Sequence, residues 1–401
     1  MLTPQTRTTS PKPTLLFVTS EFPAVSHTFV TQKIAAATAN WNVHILARSA
    51  GSPEGWALAH QLGLTPEQVT ISNFYKCSPL PLDPLAWTRR ITQAAESGKY
   101  GRSMGLRRRT FFARLLRNPI VKSATMIHAE WVQQAVEVAI PLGKALGVPV
   151  TVSANDQTCE GFASHDREVW MRDVNKLLTL SDWSLNRWKA TYPDHSKLQR
   201  VYLGIDPRPV TRVAELRGHQ PVTVITVGRC SEQKRQQDLI EATALLVSRG
   251  VSLRVIIVGD GHLLPSLKAL AQARGVAKSV DFRGALSNLH VQELLLNADI
   301  FVLASQWESF GLVTVEAMAA SLPTIVSDGG ASPELVVPGE SGFIYPVGDV
   351  QGLADRLQEL IADGEKRSRF GTAARIRAAQ HFSLARQMRE TNSIWLDAIA
   401  R

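Results

Sequence analysis

Short apolar, β-branched runs alternate with helix-length segments along most of the chain, and no other feature restricts the fold as strongly. Strands are predicted at 15–19, 43–47, 126–128, 150–153, 177–180 and 201–203. A second series is predicted at 222–227, 253–258, 280–282, 300–303, 324–326 and 343–345, with helical stretches such as 236–249 and 264–274 between strands. This alternation implies parallel sheets covered by helices on both faces, since a parallel crossover needs a dozen or more residues to regain the same edge. The two series are separated by GIDPRPVTRVAELRGHQP, residues 204–221, which carries prolines and little apolar periodicity. A chain of 401 residues also exceeds one ordinary core. The expectation is an α/β protein with two doubly wound domains of comparable size. A disordered tail over 1–13 precedes a first domain over 14–205, a linker over 206–221 and a second domain over 222–382; a C-terminal helix over 383–401 packs back on the first domain. Sheets of this kind bind ligands beyond the carboxyl ends of their strands, so the two are expected to face one another across a cleft.

Composition narrows the class. Hydrophobic residues make up 44% and charged residues 20%, as in soluble globular proteins. There is no apolar run long enough to span a bilayer, and MLTPQTRTTSPKPT lacks the apolar core of a secretory signal. Cys77, Cys159 and Cys230 are too widely spaced for a metal or disulfide pattern, which points to a reducing cytoplasm. The net charge of +9 is uneven: Lys99, Arg102, Arg107, Arg108, Arg109, Arg114, Arg117 and Lys122 lie in one segment without an acid. Its middle, GLRRRTFFARLLRNP, interleaves arginines with Leu106, Phe111, Phe112, Leu115 and Leu116. Such a stretch suits an anionic membrane surface, placing the protein at the inner face of the cytoplasmic membrane; it equally suits a solvated helix face with its apolar side in the core. Nucleic acid ranks well below both and is not expected as a partner.

Chemistry concentrates in SQWESFGLVTVEAMAASLP, residues 305–323. Glu308 precedes a helix start, and Glu316 lies inside that helix among Val313, Val315, Ala317, Met318, Ala319 and Ala320. A carboxylate in apolar company is costly unless something binds it. The free N–H groups near Phe310, Gly311 and Leu312 suit an anion, and flanking carboxylates accept hydrogen bonds from hydroxyls. That layout fits a diphosphate with sugars at both ends, a nucleotide sugar. Two plainer readings stay open: Glu308 complementing the helix dipole, and Glu316 solvated on an exposed helix. A second constellation, TVITVGRCSEQKRQQDLIEA, puts Gly228, Arg229 and Lys234 in a strand-to-helix loop, where two cations can clamp a diphosphate; a basic surface loop is the alternative. GDGHLL lacks the full dinucleotide fingerprint, so a nicotinamide enzyme is not expected.

Together with VGDGHLLPSL, VDFRGAL, the continuous stretch ADIFVLASQWESFGLVTVEAMAASLPTIVSDGGASPELV and GESGFIYPVGD, these segments resemble the retaining glycosyltransferases of family 4, in order and spacing, over roughly 222–350. Family 4 is built on the GT-B fold, two Rossmann-like domains facing across a cleft. The glutamate pair with seven residues between is its hallmark. The first half is similar more loosely, through SEFPAVSHTFVTQKIAA, which resembles the opening of enzymes that build bacterial exopolysaccharides. The resemblance implies that Arg229 and Lys234 take the diphosphate. Glu308, with Ser309, Phe310, Gly311 and Leu312, holds the donor sugar, and Glu316 the ribose. Gly228 and Leu286, in the loop after Gly284, complete the donor side. Ser26, His27 and Asp156 lie on the acceptor side, and Asn155, counted with the catalytic residues, stands where the family often has a histidine that reaches the donor sugar near the acceptor. Asparagine bonds a hydroxyl but cannot change charge near neutral pH.

The activity so implied is metal-independent transfer, with retention, from a UDP- or GDP-sugar to a glycan or lipid-linked acceptor in cell-surface polysaccharide synthesis, without a cofactor. The departures at Asn155 and His27 motivate one rival: a catalytically impaired relative that binds nucleotide sugar or glycan as a partner in an assembly.

Overall fold

The computed structural model describes residues 11–24, 27–71, 112–154, 171–206 and 221–400. The tail up to residue 10, the basic stretch from Lys99 to Phe111, Ser26, Asn155, Asp156 and linker positions 207–220 lie outside the described residues. The chain divides into two compact units. One comprises Met1–Thr179, Arg187–Gln199 and Met388–Arg401; the other comprises Leu180–Asn186 and Arg200–Gln387.

The first unit holds β1 (Thr14–Phe22), β2 (Asn42–Ala50), β3 (Val69–Ile71), β4 (Met126–Ala129), β5 (Val150–Ala154), β6 (Lys176–Thr179) and β7 (Leu198–Arg200). They form a sheet in the order β3-β2-β1-β4-β5-β6-β7, parallel from β3 to β6. The second unit holds β8 (Val222–Val227), β9 (Leu253–Val258), β10 (Val280–Gly284), β11 (Ile300–Leu303), β12 (Thr324–Ser327) and β13 (Gly342–Tyr345). Their order, β10-β9-β8-β11-β12-β13, is parallel throughout. Each sheet is a doubly wound, Rossmann-like sheet whose order reverses beside its first strand, at the point where ligands of such folds bind. Their strands read as apolar runs because both faces are covered: every residue of β4, β5, β11 and β12 is buried.

The strand expected at 201–203 is not one. Its apolar, polar, apolar alternation has the period of a strand, but the last strand of the first sheet is already complete at Arg200. Val201 and Leu203 are buried in the second unit instead, where Ile205 exchanges backbone hydrogen bonds with Phe382 and Leu384. The short edge strand β3, Val-Thr-Ile with no fully buried residue, is too short a run to separate from a loop.

The C-terminal helix Leu384–Ile399 begins in the second unit and ends in the first. Trp395 is sealed there, edge-on to Trp41 at 5.8 Å and 5.1 Å from the His128 ring.

Candidate active site

All five loops that build the site leave the carboxyl ends of parallel strands in the second unit, and glycines let them touch. Gly259 (φ +134°) and Gly261 (φ +155°) let the β9 loop lie on the β8 loop; a Cβ would come within 2.0 Å of the Gly228 carbonyl oxygen and 2.3 Å of that of Cys230. Gly330 (φ +68°) does the same between the β12 and β11 loops, where a Cβ would meet the Glu308 carbonyl oxygen at 2.3 Å. The Asp328-Gly329-Gly330 turn is therefore a structural prop: the Ala331 N–H donates to the Glu308 carbonyl at 2.8 Å.

The β8 loop runs from Gly228 through a turn of 3-10 helix, Glu232–Lys234, to helix Gln236–Ser248. Arg235 takes a left-handed conformation (φ 47°), and its guanidinium pairs with the buried Asp238 at 2.8 Å. Lys234 and Arg235, adjacent in sequence, thereby get separate jobs, and Arg235 is a structural residue. The Lys234 ammonium donates to Glu308 Oε1. Its stem lies over Gly228, where a Cβ would stand 3.4 Å from the Lys234 chain. Gln233 stitches the two loops together, its amide donating to the Trp307 carbonyl at 3.0 Å and its own carbonyl accepting from the Gln306 N–H at 2.7 Å.

Glu308 is 6% exposed. Ser305 Oγ also donates to its Oε1, at 2.6 Å, and Ser327 Oγ holds the Ser305 carbonyl. The chain continues through Ser309, whose carbonyl accepts from Ser181 Oγ at 2.8 Å, to Phe310, a buried ring packed on Phe382 and Tyr202. Gly311 (φ +99°) then turns into helix Leu312–Ala319. Thr314 and Val315 both donate to the Gly311 carbonyl, and the N–H groups before them form the open positive start of the helix.

Glu316 lies on the half-open stripe of that helix with Leu312, Val313 and Ala319, while Thr314, Val315, Ala317 and Met318 are buried. Burial pushes its carboxyl up to about 7, against a weaker opposing effect of the Asn288 amide, which donates to Oε1 at 3.4 Å. Asn288 opens helix Asn288–Leu296 after the Gly284 loop, the loop that carries the exposed Leu286. A carboxyl bound more weakly by protons in the unfolded chain than in the folded one contributes stability below about pH 4.5, and that contribution is lost as pH rises through about 7. Glu316→Gln is therefore expected to raise stability at pH 8 by on the order of 1–2 kcal/mol, allowing for its half-open setting, and to change little at pH 5. Thermal melts of both proteins at the two pH values check this; equal differences would contradict it.

The structure thus brings Gly228, Lys234, Glu308, Ser309, Phe310, Gly311 and Leu312 together, and Glu316 with the Leu286 loop. Arg229 is exposed and its guanidinium makes no ion pair among the described residues. His27, in the first unit, packs on Trp131 at 5.1 Å; burial holds its pKa below the usual value, against Glu130 and Glu21. Gln233, Ser305 and Asn288 escaped the sequence reading. Gln233 and Ser305 were nonetheless within reach of it, as polar residues inside the motif segments.

Two doubly wound, Rossmann-like sheets are the architecture of the GT-B fold. HepE of Anabaena, solved in complex with UDP and glucose, superposes with a TM-score of 0.70 at 18% identity, covering 95% of this chain and 98% of that one. Residues 208–377 match the family model of the glycosyl transferases group 1. The N-acetyl-alpha-D-glucosaminyl L-malate synthase of Bacillus anthracis is 28% identical over 260 residues, 63% of this chain and 66% of that protein. WcaL of Salmonella typhimurium, named for colanic acid biosynthesis, is 29% identical over 214 residues, 52% of this chain and 53% of that protein. The chain thus spans about half to two thirds of the length of these relatives. Among the described residues, no helix is long and apolar enough to cross a membrane.

Proposed function

We propose that the protein is a retaining glycosyltransferase that moves a sugar from a UDP- or GDP-sugar to a glycan or lipid-linked oligosaccharide in cell-surface polysaccharide synthesis. The observation that carries the reading is the convergence of Lys234 and Glu308, from loops 74 residues apart, beside an open helix start. In this reading Lys234 and Arg229 grip the diphosphate and, with the helix start, stabilise charge as the leaving group departs, in place of a metal. Glu308 and the backbone from Phe310 to Leu312 orient the donor sugar, Glu316 accepts from the ribose, and the Leu286 loop borders the base. Retention follows from same-face attack, with the departing phosphate taking the proton of the acceptor hydroxyl. Ser26, His27, Asn155 and Asp156 belong to the acceptor side. The UDP in the HepE complex supports the donor class, and the name of WcaL supports the polysaccharide setting.

The test is incubation with a panel of UDP- and GDP-sugars, with binding followed by thermal shift and turnover by nucleotide release. Shift and release together support the enzyme. Binding without release across lipid-linked and oligosaccharide acceptors turns the assignment to a catalytically impaired binding partner, the reading that Asn155 favours. Absence of any shift would overturn the donor class altogether.

A further inference from the structure

Lys234 and Glu308 are assigned to opposite ends of a donor, one to its phosphates and one to its sugar, yet in the structure they hold each other. Glu308 is almost sealed, so an oxygen that loses the ammonium is left with Ser305 as its side-chain hydrogen-bond donor among the described residues. A buried carboxylate deprived of a charged partner is destabilised much more than a solvated one. Lys234 is less enclosed, at 19% side-chain exposure, and its stem rests on a glycine, so its ammonium can leave Glu308 without disturbing packed side chains. Arg229, by contrast, carries a cation with no ion-pair partner among the described residues to give up.

We propose that the Lys234–Glu308 pair is a specificity device that separates an intact nucleotide sugar from a free nucleoside diphosphate. The inference rests on the donor reading above. A diphosphate beside Gly228 and Arg229 competes with Glu308 for the same ammonium. When the ligand is a nucleoside diphosphate alone, Lys234 leaves and the Glu308 carboxylate loses its charged donor. When a sugar is attached, its hydroxyls donate to Glu308 as Lys234 moves to the phosphates, and the carboxylate stays satisfied. Phosphate recognition and sugar recognition are coupled through one ion pair, and the free nucleoside diphosphate left after transfer is released because Glu308 reclaims the lysine.

Titration calorimetry of the full chain with UDP, GDP, UDP-glucose and GDP-mannose tests the pair in the wild type, Glu308→Gln and Ser305→Ala. Glu308→Gln is expected to bind the free nucleoside diphosphate about fivefold tighter or more, because the lysine is no longer held. Its affinity for the matching nucleotide sugar does not rise, so the ratio between the two ligands falls by about fivefold or more. Ser305→Ala loosens the same carboxylate but leaves the ion pair, and gains no affinity for the free nucleotide. Should Glu308→Gln lose its melting transition, Glu308→Asp, which keeps the charge but shortens the reach to Lys234, is expected to show a smaller gain of the same sign. Unchanged or weaker nucleotide binding in a folded Glu308 variant overturns the device while leaving the donor reading intact. A wild type that binds none of the four ligands overturns the donor reading and the device together.

Discussion

Glu308→Ala and Lys234→Ala each lower the turnover of a nucleotide sugar by roughly a hundredfold or more, as removal of a preorganised electrostatic group does in other enzymes. The size of the effect is what discriminates. Were Glu308 only a complement to the dipole of helix Leu312–Ala319, its removal would cost about 0.3–1 kcal/mol, a few-fold at most. Were Lys234 only half of a surface ion pair, the loss would be of the same order and would appear in stability, not in rate. The two side chains share one contact, so their effects do not add: the double alanine variant loses less than the product of the single losses. The measurement is kcat/KM from nucleotide release, with the donor that the wild type turns over, alongside melting temperatures. Rates near wild type in either folded variant would refute the roles assigned to these residues.

How much of this could be read from the sequence depends on whether a feature is local. Strands β8, β9 and β11 begin and end where their apolar runs do, because most of each run is buried in the core of the second unit. The segment 201–203 misled for the opposite reason: its alternation was real, but the sheet ends at Arg200 and the backbone pairing that follows, Ile205 with Phe382 and Leu384, is out of reach of any local signal. Glu316 was legible as an acid among small residues, and its raised pKa is the physical form of that anomaly. The pairing of Lys234 with Glu308 was not, since it depends on two loops meeting across the sheet edge. Nor could the sequence say that Arg235 would turn away from Lys234, because that follows from a left-handed residue and a buried Asp238.

A second large effect belongs to the first unit, where Lys33, His128 and Glu130 are fully buried at the carboxyl end of the sheet. The Lys33 ammonium donates to Glu130 at 2.8 Å and to Ser153 at 3.0 Å, and lies 3.1 Å from His128 Nε2, whose other ring nitrogen meets Thr151 at 2.8 Å. Burial alone would raise the Glu130 pKa, but Lys33 and His128 outweigh it and bring it down to about 2. Burial and Lys33 hold His128 near 4, and so neutral. Breaking a buried pair from one side leaves an uncompensated charge, so Lys33→Met is expected to destabilise the first unit by roughly 3–5 kcal/mol. The double variant Lys33→Met with Glu130→Leu recovers most of that loss, because no charge is then stranded. The pH dependence separates the two carboxyl environments. In the wild type the depressed Glu130 contributes stability present above about pH 4.5 and lost as pH falls toward about 2, and His128 adds a loss below its ordinary 6.5. In Lys33→Met the largest opposing charge is gone and only His128 still counters the burial of Glu130, so its pKa rises and less stability is lost on acidification. Unfolding followed by tryptophan fluorescence, with Trp395 beside His128 as the reporter, distinguishes these cases between pH 4 and 8. A single variant as stable as the double one would mean that the ion pair does not hold these strands and the helix Thr28–Ala37 together.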